Sequence, residues 1–108
     1  MKTKVALEAL AALAHETRLA IFKYLIAVGH EGVAAGDIAT KLKIPSPTLS
    51  FHLKHLEQAG LIHAQRQSRS IIYAADYERM RALLSFLMED CCQGRPEICA
   101  IETKARCA

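Results

Sequence analysis

Ser46-Pro47-Thr48-Leu49-Ser50-Phe51-His52-Leu53-Lys54-His55-Leu56-Glu57-Gln58-Ala59-Gly60 is the stretch whose reading decides the fold. Ser46 has the side chain of a helix N-cap, and Pro47 suits the first helical position, where its missing N–H is no loss. Leu49, Leu53 and Leu56 recur at helical spacing, and Ala59-Gly60 closes the run. A helix over 46–58 is predicted, with the three leucines on its inner face. Pro47, Thr48, Ser50, Phe51, Lys54 and His55 fall on the other side, and His52 lies near the edge of the core.

Working outward, Lys43-Ile44-Pro45 is a tight connection, because the residue before a proline resists helical geometry. Ala35 to Leu42 reads as a short helix with Ile38 and Leu42 facing inward. Downstream, Leu61 to Gln65 and Ser70 to Ala74 are β-prone, and Arg66-Gln67-Ser68-Arg69 between them is a polar hairpin tip. A short helix, a turn, a capped helix and a hairpin make a winged helix-turn-helix. Two helices precede this unit. The first is capped by Thr3, with Val5, Ala6, Leu7, Leu10, Leu13 and Ala14 apolar. The second runs from Glu16 to about Val28, with Leu19, Phe22, Leu25 and Ile26 on one face. Asp76 caps a last helix to about Asp90, striped by Met80, Leu83, Leu84, Leu87 and Met88. The expected fold is mainly α with a small β-hairpin, in the order α-α-α-α-β-β-α.

At 108 residues and 52% hydrophobic content the chain is one globular domain rather than two or a disordered polymer. Residues 1–90 are read as that domain and 91–108 as a tail. No run approaches the twenty apolar residues of a membrane span, so no membrane partner is expected and the location is read as cytoplasmic. Formal charge is +3, mildly basic, so the placement of charge matters more than its sum.

The outer face of the 46–58 helix mixes small hydrogen-bonding groups with a cation, a surface that fits a DNA major groove. Thr48 and Ser50 suit base edges or phosphates, and Lys54 attracts phosphate. Ser46 and the free N–H groups at the helix start suit a phosphate. A merely solvated helix face is the bland alternative, but an exposed Phe51 beside Ser50 and the histidines calls for a partner. Arg66 and Arg69, alone an ordinary charged loop, become wing contacts to flanking phosphate or minor groove when set beside this helix. The expected partner is double-stranded operator DNA.

Residues 46–62, together with Ala14-His15-Glu16-Thr17-Arg18-Leu19 and Arg66-Gln67-Ser68-Arg69-Ser70-Ile71-Ile72-Tyr73, resemble the ArsR/SmtB family of metal-responsive repressors over about residues 5–90. Ser68 stands where the wing of that family usually has glycine. The resemblance implies a homodimer, paired through its first and last helices, that blocks transcription and leaves DNA when an inducer binds. It also implies that His52 supports the DNA-reading helix, by packing or phosphate contact rather than by holding metal. His15, His30 and His63 look isolated. The resemblance implies no enzymatic activity.

Two inducer sites of that family are missing. Ala34 and Gly36 stand where its arsenic site on the first helix of the motif has thiols, and no histidine follows His63 to build its zinc site on the last helix. What remains is the tail. All four cysteines lie there, at 91, 92, 99 and 107. Thiolates are soft donors, and trivalent arsenic and antimony favour three sulfurs in a pyramid. Adjacent Cys91 and Cys92 bring two thiolates to one ion, Gly94 and Pro96 turn the chain, and Cys99 supplies the third. The segment from Cys91 to Cys99 resembles the C-terminal arsenite site of an ArsR subgroup. As(III) or Sb(III) is therefore the expected inducer, held by Cys91, Cys92 and Cys99, with Cys107 dispensable. A disulfide redox switch remains open, as does a cadmium, lead or zinc site with Cys107 as fourth ligand. A thiol oxidoreductase or arsenate reductase is disfavoured, since the chain lacks a Cys-x-x-Cys motif after a strand and an anion-binding loop. The outer face of 46–58 argues against a metal carrier that ignores DNA.

Overall fold

The computed structural model describes residues 1–88. Helices α1 (Thr3–Leu13) and α2 (Glu16–Val28) precede strand β1 (Val33–Ala34). Helices α3 (Ala35–Leu42) and α4 (Ser46–Gln58) follow, then strands β2 (Ile62–Gln67) and β3 (Ser70–Ala75), then α5 (Tyr77–Met88). This is a winged helix-turn-helix, as expected, but its sheet has three strands in the order β1-β3-β2, all antiparallel. The added strand is β1, which pairs Val33 with Tyr73 and Ala34 with Ile72. Gly32 leads into it at φ +74°, and a Cβ there would stand 2.6 Å from the Tyr73 carbonyl oxygen. Glycine thus meets both a left-handed backbone and a close approach to β3.

The core is built on α4. Leu49, Leu53 and Leu56 are buried against Ile21, Phe22 and Leu25 of α2 and Ile38 of α3. Leu61 N–H bonds to the Leu56 carbonyl at 3.1 Å, and Asp76 N–H bonds to the Leu61 carbonyl at 2.8 Å, so the two ends of the hairpin are tied together. The α5 helix starts where the sequence suggests: Asp76 Oδ1 accepts the Arg79 N–H at 2.9 Å, a side-chain cap. The Tyr77 hydroxyl donates to the Ile26 carbonyl at 2.6 Å and fastens α5 to the last turn of α2.

Several local expectations are corrected. Thr3 does not cap α1; Lys2 holds that position without a side-chain bond. Ser46 is the first residue inside α4, Pro45 is the N-cap, and Pro47 sits one place further in. The helix still begins at the Pro-Ser-Pro cluster, because two fixed φ angles start it without a side-chain acceptor. The sequence did not choose an inner face for α1; the residues that go inside are Ala6, Ala9 and Ala12, while Leu7 and Leu10 point outward. In α2 the buried set includes Ile21, and Leu19 is exposed. The hairpin is longer than read: Arg66 and Gln67 belong to β2, and the turn is Ser68-Arg69. The reading of the tail, the boundary at residue 90 and the end of the last helix at Asp90 lie outside the described residues.

Candidate nucleic-acid interface

The tight turn before α4 is made by Lys43, which adopts a left-handed backbone at φ +57°. Its N–H and that of Ile44 both return to the Ala39 carbonyl, the latter at 3.0 Å. This closes α3 with two bonds and turns the chain at once into α4. Ser46, Pro47, Thr48, Ser50, Phe51 and Lys54 are all exposed, and His55 is half-buried. Exposure thus follows the predicted outer face at every position except His55, which is partly covered. The two wing arginines, Arg66 and Arg69, are also exposed, at the far end of the β2–β3 hairpin. Ser68 takes φ +59°, so a serine occupies the left-handed position that glycine would adopt without strain.

His52 differs from the rest of the set. It is buried, 6% exposed, at the helical spacing of Leu49, Leu53 and Leu56. Its Nδ1 faces a guanidinium nitrogen of Arg18 at 3.5 Å. Arg18 in turn donates from Nε to the Ala12 carbonyl at 2.7 Å. The His15 ring lies 4.6 Å from that of His52, and His15 Nδ1 accepts the Thr17 N–H at 3.1 Å as the N-cap of α2. One arginine and two histidines thus fasten α4 to the end of α1 and the start of α2. His15 is not isolated, and neither is His30, whose ring lies tilted at 54° against that of Tyr77, 4.6 Å away. Burial, followed by the nearby His15, Arg18 and His55, pushes the His52 imidazole below its ordinary range. The neutral ring keeps the Nδ1 lone pair toward Arg18. His52 therefore supports the helix from below and is withdrawn from any groove that α4 enters. The sequence carried this signal in the 49, 52, 53, 56 spacing.

Among the described residues no group of three or more His, Cys, Asp or Glu comes together as a metal site. No helix of the described residues is long and apolar enough to cross a membrane.

A helix whose buried stripe seats it on a three-helix core, whose polar face stands free and whose hairpin lies alongside defines a DNA-binding regulator of the winged helix-turn-helix class. Comparison with known proteins narrows this. A family described as a helix-turn-helix domain matches residues 13–65. The HTH-type transcriptional regulator YgaV of Escherichia coli is 30% identical over 83 residues, spanning 77% of this chain and 82% of the relative. An ArsR-like transcriptional regulator from Rhodococcus sp. RHA1 superposes with a TM-score of 0.74 at 25% identity, covering 97% of this chain and 96% of that one. The homodimeric winged helix-turn-helix DNA-binding domain of Mb0332 from Mycobacterium bovis, a possible ArsR-family regulator, gives 0.66 at 28% identity over 81% of each chain. The chain belongs to the helix-turn-helix transcriptional regulators, and its fold is similar to that of ArsR-like regulators.

Proposed function

We propose that the protein is a homodimeric repressor that holds operator DNA through α4 and the wing and is released by trivalent arsenic or antimony bound to Cys91, Cys92 and Cys99. The exposed polar face of α4, from Ser46 through His55, carries the DNA half of this reading. Thr48 and Ser50 reach base edges, Lys54 meets phosphate, and Pro47 lets the first turn approach the backbone closely. Arg66 and Arg69 reach flanking phosphate from the wing.

Dimerisation is supported by the apolar side chains that one protomer leaves in solvent. Leu7 and Leu10 of α1 and Leu84 and Leu87 of α5 are exposed, and α1 touches α5. Beside them lies an apolar groove lined by Leu13, Leu19, Phe22, Ile26, Met80 and Leu84. The Mb0332 domain is described as homodimeric, and a second copy covers such a face here.

The inducer half rests on donor chemistry. Three thiolates within nine residues match the preference of As(III) and Sb(III), and the tail follows directly from α5, the helix on the dimer face. Within a protomer α5 is fastened to α2 through Tyr77, and α2 to α4 through Arg18 and His52. A shift at the end of α5 then changes how two firmly built protomers face each other. Two recognition helices must sit about 34 Å apart to enter successive major grooves, so a small rotation at the interface loses the paired fit. A release of this kind needs a coupling of about 1–3 kcal/mol.

The test is a gel shift of the purified protein on the DNA upstream of its own gene, under reductant, with arsenite, antimonite, cadmium and zinc in turn. Release by arsenite and antimonite supports the reading. Release only after the reductant is removed favours the disulfide switch. Retention under every condition removes the tail from regulation.

A further inference from the structure

Phe51 is 59% exposed on the same face as Ser46, Pro47, Thr48, Ser50 and Lys54, and none of those neighbours is a large apolar residue. Among the described residues the other exposed large apolar side chains lie on other elements: Met1, Leu7 and Leu10 at the N-terminus and on α1, Leu19 on α2, Ile71 on the wing, and Leu84 and Leu87 on α5. A protein partner is held by a contiguous apolar patch of several hundred Å², and a solitary ring on a polar helix face offers no such patch. The ring is also braced. The imidazole of His55, one turn further along α4, meets it edge-on at 4.6 Å and 69°. The buried His52 ring meets it at 5.6 Å and 65°. A side chain held on two sides has little rotational freedom left to lose on docking.

A polar groove that displays single apolar groups at fixed points is the surface that fits one rigid ring. In the DNA major groove every base-pair edge is made of donors and acceptors except for one group, the 5-methyl of thymine. Resting on the reading of α4 as the DNA-contacting helix, we propose that Phe51 is a specificity-determining residue that selects a thymine in each half-site by packing its ring against that methyl group. Thr48 and Ser50, with hydroxyls that bond many base edges, discriminate less, so the apolar contact is the one that rejects a cytosine at the same step.

The experiment starts from a duplex that the wild-type protein recovers from a randomised pool. Each thymine is replaced in turn by deoxyuridine, which removes only the methyl group, and affinity is read by fluorescence anisotropy. At one thymine per half-site the loss of the methyl is expected to weaken binding about four-fold, the worth of one buried methylene-sized group, with the other positions unchanged. Phe51→Ala and Phe51→Gln, both at an exposed site and checked for helical content, are expected to bind the thymine and uracil duplexes equally. A parallel series with 5-methylcytosine for cytosine separates the two sources of a pyrimidine methyl. A gain there with no loss at any thymine overturns the assignment to thymine. So does a recovered duplex indifferent to every deoxyuridine, or a methyl effect that survives in both variants, while the DNA-reading role of α4 stands. Recovery of no duplex at all overturns that role and this inference with it.

Discussion

His52 shows how one residue type serves two opposite ends on the same helix. His55 is half-buried beside Phe51 on the outer face, whereas His52 is driven into the core by its spacing from Leu49 and Leu56. A buried imidazole facing Arg18, His15 and His55 resists a proton, so the folded protein holds fewer protons there than the unfolded chain does. The stability that this neutral ring contributes is complete above the ordinary imidazole range and is lost as pH falls below it. Glu8 lines the same hollow as Arg18 and His55, so the wild type and a His52 variant are compared over the same charged background. Denaturant midpoints are therefore expected to fall more steeply between about pH 7.5 and about pH 5.5 in the wild type than in His52→Asn. Equal slopes would mean that His52 does not titrate against the fold. The outer residues of α4 were readable from the sequence because exposure follows directly from the leucine period. The bracing by Arg18 and His15 was not, because it depends on where α1 ends against α4, which no local pattern records.

At the scale of elements, the helices were legible and the finer boundaries were not. The α4 helix was visible because leucine spacing, a proline cluster and a closing glycine agree. The β1 strand was invisible: two residues have no periodicity, and it exists only because β3 offers an edge for Val33 and Ala34. Its one local trace is Gly32, which must take a positive φ beneath the Tyr73 carbonyl. Gly32→Ala is expected to lower stability by about 2–4 kcal/mol, since left-handed strain adds to a backbone clash, and equilibrium unfolding measures it. A change below about 0.5 kcal/mol, the range of ordinary surface substitutions, would mean that β1 does not anchor the sheet. The inner face of the α1 helix could not be read from the sequence for a related reason. It is apolar nearly all round, so periodicity cannot choose a face. Close approach of α1 to α2 and α4 selects the small residues Ala6, Ala9 and Ala12 for the inside and leaves the leucines out.

For the whole molecule, the leucines that one protomer leaves exposed on α1 and α5 explain why a chain of this size would work as a pair. Leu84→Glu or Leu87→Glu places a charge on that face without touching the protomer core. Either is expected to give a folded monomer by light scattering, with operator affinity reduced at least ten-fold because the paired fit is lost. A dimer that persists in both variants would move the interface elsewhere. The role proposed for the tail belongs to this scale too, and the sequence alone speaks for it: four cysteines after ninety residues without one. The central claim, that three of these thiols govern DNA release, is tested most directly by titrating arsenite, under reductant, into the protein bound to fluorescent operator DNA. The wild type is predicted to leave the DNA as arsenite rises, and the protein with Cys91→Ser, Cys92→Ser and Cys99→Ser together to bind as tightly and stay bound. Release of that triple variant at the same arsenite concentration would contradict the account.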